Sequence, residues 1–346
     1  MSKISVIMPS HNSAPWITQA IDSVIDQTYK NIELIIIDDA SLDNTVAIAR
    51  QKLSQDFAGA WHIIELDANK GPSAARNIGL AASAGDWIQF LDSDDLLAPW
   101  KFERQMAFCA AAPADVAAVQ SPFRMCHVAD DGISWVGPLV RADVDGRSPL
   151  MCMVGGFRPL HSAGLARRAV LEQIGGFDES LRFWECEEIN VRLAKAGRIV
   201  QVPSDEPCYY WRMPQGQTYI GGDTARYRSP QVALGWIEQV LKAADFQPLS
   251  AINLTSAERQ AVLNDCTMWA RLAYSRDRDA FRRFLDLARK LDPDILPAHP
   301  GYVTWLARRF GYEAAEGVAR AARLPKQLAR KTLQQLGVRP NAALID

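Results

Sequence analysis

Apolar runs of strand length alternate with stretches of helical period through the first hundred residues. Ile4 to Met8 reads as a short buried strand stopped by Pro9, and a polar loop of Ser10, His11, Asn12 and Ser13 follows. Pro15 suits the first turn of a helix carried by Ile17, Ala20, Ile21, Val24 and Ile25. Ile32 to Ile37 forms a second strand ending in Asp38 and Asp39, with Asp43 placed to cap a helix through Val46, Ala47, Ala49 and Leu53. Trp61 to Leu66 is a third strand, Asn69-Lys70-Gly71 a loop, and Pro72 opens a helix through Ala84. Trp87 to Leu91 is a fourth strand that ends abruptly in Asp92, Ser93, Asp94 and Asp95. This alternation predicts a mainly parallel, doubly wound, Rossmann-like α/β sheet. Such sheets bind ligands beyond the carboxyl ends of their strands, where all four polar loops fall.

The pattern then loosens. Pro99 opens a helix to about Ala111, Val116 to Gln120 reads as a strand, and Phe123 to Phe157 reads as irregular chain rich in Gly, Pro, Asp and Met. His161 to Ala166, Ile199 to Val202 and Cys208 to Trp211 read as later strands. From about Thr224 strand signals vanish, and Val232 to Ala243, Ala257 to Ser275 and Asp279 to Lys290 read as helices. The expected organisation is an α/β domain over 1–222, with halves 1–120 and 121–222, and a helical extension over 223–346.

Composition narrows the classes. The 346 residues are 48% apolar and 23% charged, enough for a sizeable core. A formal net charge of -2 gives no general case for nucleic acid as a partner. The six cysteines form no C-x-x-C pair, so neither a zinc site nor a disulfide framework is signalled, and reduced cysteines in a cytoplasmic protein are expected. No signal segment or spanning apolar stretch is evident.

Three carboxylates closing a buried strand repel one another unless a counter-charge is near. The stretch therefore reads as a site for Mg²⁺ or Mn²⁺, hard cations that take carboxylate oxygens and share them with substrate phosphates. The alternative is a polar turn, since Asp and Ser are favoured in turns and caps. No Gly-x-Gly-x-x-Gly follows the first strand and no Gly-Lys-Ser/Thr occurs, which disfavours dinucleotide and P-loop enzymes.

The stretches 6–13 (VIMPSHNS), 20–45, 69–95 (NKGPSAARNIGLAASAGDWIQFLDSDD) and 174–183 (IGGFDESLRF) resemble, in order and spacing, the family 2 glycosyltransferases, which have the nucleotide-sugar-binding GT-A fold. The resemblance covers about residues 3–213. It implies an inverting, metal-dependent transferase moving sugar from a nucleoside-diphosphate sugar to an acceptor hydroxyl, with bacterial surface polysaccharide or glycolipid as the expected pathway. It places Pro9, His11, Asp39, Arg76, Asp92 and Ser93 against the nucleotide-sugar donor, Asp94 and Asp92 on the metal, and Arg212 near the diphosphate. Family members vary over the segment from Phe123, so it becomes a candidate acceptor-side insert, a plain solvated loop being the alternative.

The family's catalytic Asp falls on Cys186 here, with Glu185 at the preceding Glu. A thiol is a poor base unless its pKa is lowered. Ile189, Leu193 and Ala196 mark one helix face, and Glu185 projects onto that face one turn earlier. Glu185 is therefore the expected base, with Glu187 the alternative and Glu188 a solvated residue paired with Arg192. His161 is a weaker site candidate. A sugar-nucleotide-binding or membrane scaffold without catalysis is kept open by Cys186, and nucleotidyl transfer to a sugar phosphate is a further alternative. Residues 301–346 carry eight basic against three acidic side chains among apolar ones, which suggests a peripheral contact with the inner membrane face and a lipid-linked saccharide acceptor. A basic helix packed on the core is the alternative.

Overall fold

The computed structural model describes residues 2–129, 132–142, 144, 161–181, 185–213, 256–274, 277–291, 309, 312–313 and 315–316. The chain divides into two compact units, one of residues 1–227 with 235–246 and one of 228–234 with 247–346. The expected helix at Val232–Ala243 and most of the basic tail lie outside the described residues.

In the first unit, seven strands form one sheet in the order β10-β6-β9-β4-β1-β2-β3. They are β1 (Ile4–Ser10), β2 (Ile32–Asp38), β3 (Ala60–Glu65), β4 (Trp87–Phe90), β6 (Val116–Gln120), β9 (Gly164–Arg167) and β10 (Arg198–Gln201). All pairs are parallel except those of β9, which runs antiparallel to β4 and β6. The helices are α1 (Ile17–Ile25), α2 (Thr45–Asp56), α3 (Pro72–Ala82), α4 (Lys101–Ala111), α5 (Arg168–Gln173) and α6 (Glu185–Ala196). Ile4, Val6 and Met8 of β1 pack with α1, α2 and α4 residues such as Ile21, Leu53 and Phe102, whereas Ile7 joins Leu80, Leu171, Ile189 and Leu193 on the other face. With both faces covered, the inner strands carry continuous apolar runs, which is why they were legible. Gly79 has no Cβ because one would collide with the Ile7 side chain, so α3 lies hard against β1.

Several expectations need correction. β1 does not stop at Pro9. It runs to Ser10, with Pro9 opposite Ile37, and its pairing with β4 ends at Ile7. Pro9 thus has no β4 neighbour to leave without a donor. The helices begin at Ile17 and Lys101 rather than at the prolines. The α2 N-cap is Asn44, without a side-chain bond, while Asp43 accepts the Thr45 amide at 3.0 Å and the Ala14 amide at 3.1 Å. His161 lies in a 3-10 turn, His161–Ala163, before β9.

The stretch from Phe123 is not irregular at its start. β7 (Phe123–Ala129) and β8 (Gly132–Val140) form an antiparallel hairpin. It belongs to a second sheet, β5-β11-β7-β8, with β5 (Leu96–Leu97) and β11 (Tyr209–Arg212). β8 is largely exposed on both faces, so no alternation survives in its sequence, and Gly132, Gly137 and Pro138 disguise it further.

Beneath the end of β4, the fully buried Lys101 ammonium group donates to Gln89 and, at 2.7 Å, to Gln105 Oε1. Their amides donate in turn to the Ser162 carbonyl at 2.7 Å and the Ala163 carbonyl at 3.2 Å. Burial pulls Lys101 down to about 7. A neutral amine still has hydrogens for both glutamines. Because the depressed value lies in the folded state, the unfolded chain binds more protons between about pH 7 and 10.5, and stability rises with pH across that window. Lys101→Met is expected to remove a slope of up to about 1.4 kcal/mol per pH unit from chemical denaturation curves collected between pH 7.5 and 9.5.

In the second unit, α7 (Ser256–Ala273) and α8 (Arg278–Leu291) form a helical hairpin. Asp277 caps α8, accepting the Ala280 amide at 2.9 Å. Leu263, Cys266 and Ala270 of α7 and Phe281, Phe284 and Ala288 of α8 are buried, and Tyr274 meets Phe281 edge-on at 5.0 Å. No helix among the described residues is long and apolar enough to cross a membrane.

Candidate functional site

Three clusters stand at the carboxyl edge of the main sheet. The first is the joint of the β1, β2 and β3 loops. Asp39 is buried and accepts the Lys70 amide at 2.7 Å and the Gly71 amide at 2.8 Å, one on each oxygen. Its carbonyl accepts from His11 Nδ1 at 2.7 Å. Asn12 Nδ2 lies 3.0 Å from His11 Nε2, so that nitrogen is the acceptor and Nδ1 carries the hydrogen. Asp38 accepts the Ser41 amide at 2.9 Å and the Ser41 hydroxyl, which makes it a turn cap. Asn12 and Ala40 both adopt positive φ, 50° and 56°, outside the regions most residues favour. Such backbone gathers where a site demands it.

The second cluster binds the Asp92 motif to helix α6. Arg76, on α3, is buried, with Nη2 2.8 Å from Asp92 Oδ1 and Nη1 3.1 Å from Glu185 Oε1. Its guanidinium lies 5.3 Å from the centre of the Phe177 ring, a cation–π contact. The next residue, Asn77, accepts the Phe177 amide at 2.7 Å and donates to its carbonyl at 2.9 Å. Gly175 and Gly176 at positive φ let this loop close, and a Cβ on Gly176 would strike Asn77. Desolvation works to raise the Asp92 carboxyl, but the Arg76 charge outweighs it and leaves the group below its ordinary value. His161 touches the same cluster through Phe177, with ring centres 6.0 Å apart. Burial and the Arg76 charge hold its imidazole down to about 3, so it stays neutral.

Glu185 is the first residue of α6, as the base reading requires, and Glu187 does not share its bond to Arg76. Burial, then the Glu185 charge, pushes the Cys186 thiol well above its ordinary value. The thiol sits 3.5 Å from Glu185 Oε1 as a donor and stays protonated. Glu188 is not the solvated residue expected: it is buried, and both its oxygens bind Arg192, at 2.6 and 2.5 Å. Ala196 is exposed, and Val191 and Asn190 are buried instead.

The third cluster joins the two sheets. Buried Asp95 accepts from the Tyr209 hydroxyl and, at 2.7 Å, from the Arg212 amide. It fastens β11 to the Asp92 loop, a role with no local sequence signal. Ser93 Oγ lies 2.7 Å from Ser13 Oγ, tying that loop to the β1 loop. Asp94 is exposed at its surface, and desolvation by the protein around it, with the Asp92 charge, pushes its carboxyl up to about 6. Arg212 is buried beside Asp94 and Asp95, and its Nε and Nη2 have no hydrogen-bond partner. The Asp94 carboxyl, raised by desolvation and by the Asp92 charge beside it, fits a hard divalent cation shared with Asp92, and orphaned guanidinium nitrogens fit an anion such as a phosphate. Among the described residues no group of three or more His, Cys, Asp and Glu gathers around one point.

The structure thus joins Arg76, Asp92 and Glu185 directly, and brings Arg212 to Asp94. His11 and Asp39 form a separate, tightly hydrogen-bonded corner linked to the rest through Ser13 and Ser93, with Pro9, on β1, two residues before His11.

The family model for glycosyl transferase family 2 matches residues 5–163. An uncharacterized glycosyltransferase of Nostoc sp. is 34% identical over 231 residues, covering 64% of this chain and 68% of the relative. An uncharacterized glycosyltransferase of Haemophilus influenzae is 44% identical over 108 residues, 31% of this chain, and the match spans only 42% of that relative. A putative teichuronic acid biosynthesis glycosyltransferase, TuaG of Bacillus subtilis, is 38% identical over 107 residues, 30% of this chain and 41% of the relative. Among solved structures, S. aureus TarS 1–349 in complex with UDP-GlcNAc superposes with a TM-score of 0.65 at 19% identity, over 92% of each chain. The mannosyltransferase PcManGT of Pyrobaculum calidifontis, in complex with GDP-Man and Mn²⁺, gives 0.54 at 20% identity, over 93% of this chain and 86% of that one. The chain belongs to glycosyl transferase family 2 and has the GT-A fold.

Proposed function

We propose that this protein transfers a sugar from a nucleoside-diphosphate sugar to an acceptor hydroxyl by direct displacement, with inversion at the anomeric carbon. The observation that carries this reading is Arg76, which holds Asp92 of the diphosphate edge and Glu185 of the base helix on its two terminal nitrogens. One buried cation thereby fixes the distance between leaving group and base. Asp94, with Asp92, would hold a Mn²⁺ or Mg²⁺ ion, as suits the Mn²⁺ present with PcManGT. Bound there, the ion supplies Lewis-acid stabilisation of the leaving diphosphate. Arg212 offers its unpartnered Nε and Nη2 to the diphosphate oxygens. Glu185 receives the acceptor proton as the new bond forms. Arg76 takes only its Oε1, and Oε2 has no hydrogen bond among the described residues. Pro9, His11 and the Asp39 corner form the floor for the nucleotide.

The kinship with TuaG supports a saccharide acceptor in bacterial surface polysaccharide synthesis. Peripheral membrane contact through 301–346 belongs to the same reading, as does work at the inner membrane face. A thermal-shift comparison tests the donor edge. Nucleoside diphosphates with Mn²⁺ are expected to raise the melting temperature of the wild type, since a ligand of the native state stabilises it. Asp94→Ala should abolish the Mn²⁺-dependent part of that rise; an equal rise in both proteins removes Asp94 from the metal site.

A further inference from the structure

The second sheet carries an aromatic group that none of the donor chemistry uses. Trp135 on β8 is 39% exposed. Arg124 of β7 lies 5.3 Å from its ring centre, and Tyr210 of β11 meets it edge-on, with centres 5.0 Å apart and planes at 79°. Arg124 is fixed by donating its Nε to the Gly137 carbonyl at 2.9 Å. Burial pushes the Tyr210 phenol up to about 12, so it keeps its proton as a donor.

Register places this group relative to the donor edge. Arg212 of β11 is opposite Cys126 of β7, and Cys126 is opposite Trp135 of β8. Paired residues share a sheet face, so the Trp135 ring lies on the face that carries Arg212, two strand spacings or about 10 Å away. Arg124 and Tyr210 are themselves a register pair on that face. Ile133, two residues along β8 and 41% exposed, extends it outward.

We infer that Trp135, with Arg124 and Tyr210, is a saccharide subsite that holds the acceptor chain leading to the transfer centre. This rests on the transferase reading above. A sugar ring presents C–H groups on its faces and hydroxyls around its rim. A partly exposed indole meets the first, and the guanidinium stacked over the ring and the phenol packed edge-on against it meet the second. The continuity with Arg212 runs from the donor diphosphate to the platform on one face. β8 itself is poorly built to receive another strand, because Gly137 at positive φ and Pro138 interrupt it. That favours a glycan over a second copy of the chain.

The test uses the full chain on an array of bacterial surface glycans, beside the thermal shift given by nucleoside diphosphates with Mn²⁺. Trp135→Ala is expected to lose at least about tenfold in glycan signal with the nucleotide shift unchanged, and Trp135→Phe to recover most of it. Equal glycan signals from wild type and Trp135→Ala overturn the subsite. So does a wild type that binds nucleotide but no glycan, or a Trp135→Ala whose only change, seen by light scattering, is loss of a dimer. Failure of the nucleotide shift in the wild type instead strikes the donor reading, so the two can be told apart.

Discussion

Arg76→Met is expected to lower stability by about 3 kcal/mol and to abolish turnover. Removing one partner of a buried pair leaves the other charge uncompensated, which commonly costs about 3–5 kcal/mol. Here two carboxylates, Asp92 and Glu185, lose the same cation. The low end applies because the Asp92 side chain is 33% exposed and recovers some solvation. For a unit of this size the loss corresponds to about 6–12 °C in melting temperature. Arg76→Lys separates the two consequences. An ammonium restores the charge but cannot span both carboxylates as the guanidinium fork does. Stability should return in large part while turnover does not. Recovery of both would mean that charge alone, and not the bridge, matters.

Glu185→Gln is the second large effect. The amide oxygen still accepts from Arg76, so the fold and the bridge survive. What is lost is proton acceptance, which contributes about 10²–10⁴-fold to a transfer of this kind. The kcat is expected to fall by that factor, with the nucleotide thermal shift retained. Glu187→Gln should keep turnover near wild type, because only Glu185 is held by Arg76. In Glu185→Gln the Cys186 thiol loses the Glu185 charge but is still held protonated by burial, the larger cause, and cannot take over the proton. A Glu185→Gln enzyme that turns over like the wild type would move the base elsewhere and revive the scaffold alternative.

Much of the first unit was legible because its inner strands are buried on both faces. Val116 to Gln120 coincides with β6, and Ile32 to Ile37 falls one residue short of β2. The β7–β8 hairpin was not legible, since an edge strand exposed on both faces leaves no alternation to read. Glu188 was misplaced for a related reason. An i, i+4 pair with Arg192 is visible in sequence, but whether neighbours bury it is not. The candidate site residues divide in the same way. Asp92, Asp94 and Glu185 announce themselves by position at a strand end and a helix start. The Arg76–Glu185 bond joins residues 109 apart, and the Asp95 bond to Tyr209 joins residues 114 apart. No local pattern encodes either. Asp39 shows the converse, since a prominent loop carboxylate proves to clamp the Lys70–Gly71 backbone with both oxygens. Any contact it makes to a nucleotide must use its remaining lone pairs.

The central claim is that one site joins a cation-held nucleoside diphosphate to a glutamate base. Its most direct test is release of nucleoside diphosphate from a panel of UDP- and GDP-sugars by the purified chain, with Mn²⁺ and a bacterial cell-envelope glycan extract as acceptor. The account predicts release by the wild type that chelation abolishes and that Glu185→Gln reduces at least about a hundredfold. Release undiminished by chelation and by Glu185→Gln, or none from any sugar nucleotide that binds, would contradict it.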